Sequence, residues 1–163
     1  MESAEYWIKH LKLKPHPEGG FYKEVYRSKE VFFPTGISGE RNYMTSIYFL
    51  LDEGSVSHFH SIQSDELWCY HSGDALSVYL LYPDGKLDEF VIGPNSQNGE
   101  ILQAVVPANT IFGSKSKGNY SLVGCVVSPG FDFRDFTLYT TKELLNNYPQ
   151  HEGIIKQLSK AEY

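Results

Sequence analysis

The residues with the clearest chemical potential lie in GSVSHFHSIQSDELWCYHSG, Gly54 to Gly73. His58 and His60 are one residue apart, and a carboxylate pair, Asp65 and Glu66, follows closely. In an extended chain, period-two alternation puts both imidazoles on one face. From Glu66 the next run alternates Glu66, Trp68 and Tyr70 against Leu67, Cys69 and His71. Asp65 and Glu66 then point oppositely, and His71 lies away from Glu66. A hairpin of these two strands would bring His58, His60 and Glu66 to a common point, where they could hold a metal or move protons.

The elements that must position them read as a β-barrel or sandwich. Ser3 caps a short helix from Ala4 to about Leu11, which ends before Pro15. HPEGG, His16 to Gly20, forces an irregular entry, after which Tyr22, Glu24 and Tyr26 alternate with Phe21, Lys23, Val25 and Arg27. Val31 to Arg41 reads as a loop, and Asn42 to Asp52 as one strong strand. Further strands follow over Ala75 to Tyr82, Lys86 to Ile92, Glu100 to Val106, Thr110 to Ser114 and Tyr120 to Ser128, with turns at Pro83-Asp84-Gly85 and Pro107-Ala108-Asn109. PGFDFRDF, Pro129 to Phe136, breaks the last long strand. Thr141 reads as the cap of a short helix containing Glu143, and Tyr148-Pro149 interrupts it before a final turn or two. Many short strands at turn spacings, with helices only at the ends, define an all-β fold of one domain over residues 1–163.

Composition narrows the function. Net charge is −6 with no basic stripe, which argues against nucleic acid. No run approaches a membrane span, and the first residues carry acids without a signal-length apolar core, so the reading is a cytoplasmic protein. Cys69 and Cys125 read as buried free thiols of a reducing compartment. Aromatic content is 15%, with 12 Tyr and 10 Phe, which suits a wet cavity lined by Tyr or an aromatic dimer face.

Gly54-x3-His58-x-His60-x5-Glu66-x6-Gly73 resembles the first signature of the cupins, jelly-roll barrels built as a double-stranded β-helix, with altered spacers. The second signature is met around Gly99 and Pro107, with Asn109 where Gly is usual and Phe112 where a further His ligand would stand. HPEGG, Ser64 to Trp68 and Pro129 to Phe133 together resemble the cupin-5 family, from about Leu11 to Thr140. That family's fold is similar to the dTDP-4-dehydrorhamnose 3,5-epimerase barrel.

The resemblance implies a barrel pocket for a small, sugar-like or sugar-nucleotide ligand, and a homodimer. One reading needs no cofactor. His60 is the base, Glu66 or Asp132 orients it, and Tyr22, Tyr48 or Tyr79 supplies the acid in epimerase-like or isomerase-like chemistry. Glu18 and Arg27 enter on the family-like motif, with Arg27 able to clamp an anionic group. Tyr22, His58, Trp68 and Tyr79 complete the ligand-binding set. A second reading places a divalent metal (Fe, Mn, Ni or Zn) on His58, His60 and Glu66, for an isomerase or dioxygenase. A third leaves these side chains as a hydrogen-bonded cluster in a non-catalytic binding or storage-like barrel.

Overall fold

The computed structural model describes residues 2–163. In chain order the elements are α1 (Ala4–Leu11), β1 (Lys14–Pro15), β2 (Phe21–Arg27), β3 (Val31–Phe32), β4 (Arg41–Asn42), β5 (Thr45–Asp52), β6 (Val56–Ser61) and β7 (Asp65–Gly73). They continue with β8 (Leu76–Leu81), β9 (Leu87–Ile92), β10 (Gln103–Val106), β11 (Ile111–Ser116), β12 (Tyr120–Ser128), β13 (Thr137–Leu138), α2 (Thr141–Asn147) and α3 (Glu152–Gln157). A six-stranded sheet, β1-β2-β5-β12-β7-β10, faces a five-stranded sheet, β13-β6-β11-β8-β9. This is a jelly roll, with short helices at both ends.

Alternation along each strand sorts side chains into an interior and two covered outer faces. Phe49, Leu51, Trp68, Val78, Leu80, Phe112 and Val123 fill the interior. Leu50, Tyr120 and Leu122 point outward and are covered by Ala4 of α1 and by Leu13 just after it. Phe59 and Leu81 point outward from the other sheet and pack under the C-terminal helices through Leu144, Ile155 and Leu158. This explains the unbroken apolar run Phe49-Leu50-Leu51, since a strand covered on both faces has no polar side.

Strand ends shift by one to three residues from the sequence reading, and two differences go further. The strand expected over Asn42 to Asp52 divides at Tyr43 and Met44, and the expected loop contributes β3, which pairs with β4 as a small ribbon. The Phe32 and Tyr43 rings stack at 4.7 Å and close it. Thr140, not Thr141, caps α2: Glu143 N–H donates to Thr140 Oγ1 at 3.3 Å, and Thr140 N–H donates to Glu143 Oε2 at 2.7 Å. The reciprocal pair needs the three-residue spacing that only Thr140 has. At α1, Ser3 accepts from Tyr6 N–H as expected.

After β12 the chain folds back over one end of the barrel, and a buried clasp holds it there. Arg41 on β4 donates to both carboxylate oxygens of Asp135, at 2.8 and 2.7 Å. Gln63 adds a bond to Asp135 at 3.0 Å. This fork-to-carboxylate geometry fixes the segment carrying Phe131, Asp132 and Phe133.

Candidate active site

The site begins with the HPEGG turn. His16 N–H donates to Gly20 O, Gly19 N–H to His16 O, and Glu18 N–H to His16 Nδ1. Gly19 has φ +108, and any Cβ there would collide with the Val56 carbonyl oxygen. Only glycine permits this approach. The approach lets His58 N–H donate to Glu18 O at 2.7 Å, docking the turn on β6 and sending the Glu18 side chain into the barrel.

There Glu18 Oε2 meets His60 Nε2 at 2.8 Å, with both side chains buried. His60 Nδ1–H donates to the His58 carbonyl at 2.7 Å, so Nε2 must also carry a proton to donate to the carboxylate. Burial opposes the charge on His60, yet the Glu18 carboxylate holds its pKa above the ordinary histidine value. Burial would likewise raise Glu18, but the His60 imidazolium beside it brings it down to about 2. His16 lies 3.7 Å from the same carboxylate oxygen but is not its ionic partner. Its Nδ1 accepts the Glu18 amide proton, and burial lowers its pKa, so it is neutral.

Glu66 stands on the same floor, on β7, facing inward with Trp68. Burial first, and the Glu18 carboxylate second, push its pKa up to about 8. At neutral pH the floor therefore holds an ionised carboxylate, an imidazolium and a neutral carboxylic acid. Two carboxyls pushed apart in this way mark a site that can move protons. Cys125 lies beside Glu66, its thiol pKa pushed well up by burial. Ser57 Oγ, Ser114 Oγ and Trp68 Nε1 are buried in the barrel without a hydrogen-bond partner among the described residues. Ser57 and Trp68 lie toward Glu18 and Glu66 respectively, short of bonding geometry.

Above the floor is a cavity of about 540 Å³, walled by His16, Tyr22, Ile47, Phe49, Phe131 and Phe133. It falls within the size range of small-molecule sites. Of the candidate residues, the structure brings His60, Glu66, Glu18, Tyr22, Arg27 and Asp132 together around it. Trp68 packs in the interior beneath.

The other assignments need correction. His58 is not in the cavity. A β-bulge interrupts the pairing of β6 with β11 between Phe112/His60 and Ser114/Ser57, and the extra residue breaks the alternation that would have aligned the two histidines. His58 Nδ1–H instead donates to the Glu18 carbonyl at 2.6 Å, and its ring packs edge-on to Tyr163. Tyr48 and Tyr79 point out of the barrel. Tyr48 packs with the α1 cluster and against His71, while Tyr79 packs in the cluster under the C-terminal helices, with the Lys115 ammonium over its ring. The partner that orients His60 is Glu18, rather than Glu66 or Asp132. Asp132 is held down to about 2 by hydrogen bonds from Arg134 and caps a single 3₁₀ turn at the cavity rim. Arg27 is already engaged by Glu24 through two bonds, by Asn42 and by the Phe131 carbonyl, which makes it a strut of the rim.

His16 and Cys125 line the cavity and were not singled out. The HPEGG motif contains His16, and the inward parity of Cys125 could have been read from its pairing with Trp68 had the register been known. Asp65 faces away, as parity required, and its carboxylate accepts from Ala108 N–H at 2.8 Å to hold the Pro107 turn.

The residues present do not fit the metal set His58, His60 and Glu66. His58 is turned out, Glu18 occupies His60 Nε2, and Phe112 packs on the His60 ring at 4.2 Å, where another ligand would stand. Among the described residues no group of three or more His, Cys, Asp or Glu side chains is arranged to hold a metal ion. None of their helices is long and apolar enough to cross a membrane.

A jelly-roll barrel with a buried polar floor is the architecture of the cupin superfamily. The Cupin_5 model of that superfamily (DUF985) matches residues 5–139, and the chain belongs to that family. It is 35% identical over 160 residues to the uncharacterised Saccharomyces cerevisiae protein YML079W, covering 89% of this chain and 79% of that one. Protein SO0799 from Shewanella oneidensis superposes with a TM-score of 0.93 at 45% identity, over 99% of this chain and 100% of that one. A hypothetical protein from Leishmania major does so at 0.92 and 41%, over 98% and 99%. Oxalate decarboxylase of Bacillus subtilis shares the fold at 16% identity and a TM-score of 0.57, over 91% of this chain and 38% of that one.

Proposed function

We propose that the chain is an isomerase or epimerase acting on a small carbonyl-bearing, sugar-like molecule, with Glu66 as the group that moves the proton. The observation that carries this reading is the pair of carboxyls on one floor, Glu18 held down to about 2 by the buried His60 imidazolium bonded to it and Glu66 pushed up to about 8. A pKa near the working pH is the optimum for a group that both takes and returns a proton. Ionised Glu66 takes the proton from the carbon next to the carbonyl, and the electron pair moves onto the carbonyl oxygen. The His60 imidazolium is the fixed positive charge that offsets the enolate, and Glu18 keeps it protonated. Return of the proton by Glu66 to the neighbouring carbon on the same face gives the isomer, whereas a proton from cavity water on the opposite face of the enolate gives the epimer, and Glu66 then loses its proton to solvent. This moves the base from His60, where the sequence reading put it, to Glu66.

The test is incubation of keto and aldehyde sugars in D₂O, with exchange of carbon-bound protons followed by NMR. Exchange that Glu66→Gln abolishes is the expected result. No exchange across the panel, with ligand binding retained, leaves the site a binding pocket and ends the enzymatic reading.

We propose in addition that two copies pair through the outer face of the larger sheet. Val105, Leu67, Val126, Ser46 and Tyr26 form one directly paired row across that face, and Val105 and Tyr26 are about half exposed. Light scattering is expected to give twice the 18.6 kDa chain mass, and Val105→Lys to halve it. A wild-type monomer overturns the pairing.

A further inference from the structure

The floor of the cavity carries one negative charge, one positive charge and one neutral acid, so it has no net charge to offer a ligand. The rim differs. Lys12 and Lys14 border the cavity, and neither is ion-paired among the described residues. Lys23 pairs directly with outward-facing Tyr48 and so turns its ammonium to the outer face of the sheet. The other rim charges are spoken for: Arg27 by Glu24, and Asp132 by Arg134. A net charge of −6 over the whole chain makes two unpaired cations at one opening a departure from the average surface.

Their placement is built into the fold. Lys12 has φ +57 and ends α1, with its N–H bonded to the Ile8 and Lys9 carbonyls. Lys14 pairs directly with Tyr22 across β1 and β2, so both share the inner face, and its ammonium lies 5.4 Å from the Tyr22 ring centroid. That contact leaves the ammonium at the cavity wall rather than in free solvent. Leu13 between them is buried under α1, which anchors both lysines at the opening. A solvated lysine surface requires none of these restraints.

We infer that the ligand is a phosphate-bearing small molecule, its phosphate seated on Lys12 and Lys14 and its polar carbon end directed to Glu66. The inference rests on the reading of Glu66 as the reacting group for the ligand's orientation, but the anion site stands on the lysines alone. A sugar phosphate and a nucleotide-linked sugar share this chemistry. The half-exposed Phe133 ring at the same rim offers a stacking face that only the second would use.

The experiment is titration calorimetry of the full chain with ribose 5-phosphate, ribose, UDP and uridine, at low and high salt. Both phosphorylated probes are expected to bind at least about tenfold more tightly than their neutral partners, and to weaken as salt is added. Lys14→Gln is expected to weaken both by about tenfold while leaving the neutral probes and the melting temperature unchanged. Phe133→Ala separates the two sources, because it weakens UDP and spares ribose 5-phosphate if the natural ligand carries a base. Equal binding of ribose and ribose 5-phosphate, or unchanged affinity in Lys14→Gln and in the Lys12, Lys14 double Gln variant, overturns the proposal. So does the absence of any binding at millimolar concentration. Phosphate binding without proton exchange supports the anion site while ending the isomerase reading, and exchange on unphosphorylated sugars alone does the opposite.

Discussion

Glu18→Gln is expected to lose about 3–5 kcal/mol of stability at pH 5.5, the usual cost of removing one partner from a buried ion pair. Gln keeps the shape and an acceptor but no charge, and the His60 imidazolium is left in the barrel with no counter-ion at 2.8 Å. The pH dependence follows from the two shifts. Glu18, lowered to about 2, contributes stability that is present above its ordinary pKa near 4.5 and is lost as pH falls through 2. His60, raised above 6.5, contributes stability present below 6.5 that is lost as pH rises through its folded value. The pair is therefore fully effective between about 4.5 and 6.5, and the difference between wild type and variant narrows on the alkaline side. Urea denaturation at pH 5.5 and pH 9 measures both. A loss under about 1 kcal/mol at pH 5.5, with unchanged denaturant dependence, would mean the two side chains do not pair as ions.

Glu66→Gln is expected to do the reverse to stability while removing activity. Glu66 titrates at about 8 in the fold against an ordinary 4.5, so the native state binds its proton more tightly than the unfolded chain does. Its contribution is present below 4.5 and is lost progressively as pH rises through 8. Gln has no proton to lose. At pH 8.5 the variant is expected to be more stable than wild type by on the order of a few kcal/mol, and near pH 4.5 the two converge. Proton exchange should fall by about 10²–10⁴ in the same variant. In wild type the exchange rate should rise about tenfold per pH unit and level off near 8, as the carboxylate becomes the major form. Thermal melts across pH and the exchange profile are independent readouts. A wild type whose stability is flat from pH 5 to 8 would show that Glu66 is not held neutral.

These two side chains show what was legible and what was not. The inward face of β7 was readable, because Glu66 and Trp68 share a parity that Asp65, Leu67 and Cys69 do not, and the polar Asp65 marks the side away from the floor. His60 was placed correctly for the same reason. His58 was not, because the bulge opposite Phe112 and Ser114 is a property of how β6 pairs with β11, and Gly113 on β11 marks an irregularity without saying which residue of the partner strand it displaces. Tyr48 and Tyr79 were misplaced by a different route. Their strands were read correctly, but a strand covered on both faces, as β5 is by α1 and β8 is by the C-terminal helices, gives no polar side from which to choose the interior.

The sequence by itself determined an all-β barrel or sandwich with end helices, because alternation, turn chemistry and caps act within a few residues of the chain, while the jelly roll followed from the likeness of its motifs to those of the cupins. It also determined that HPEGG is special, since consecutive glycines after a proline announce backbone freedom that must be used somewhere. Only the tertiary structure decided that the turn docks on Val56 and His58, delivering Glu18 to His60. Only it decided that Arg27 is neutralised by Glu24 while Lys14 is left free at the rim. The reason is electrostatic as well as geometric: a carboxylate's charge state depends on the burial and the charges around it, and those neighbours come from strands far apart in the chain.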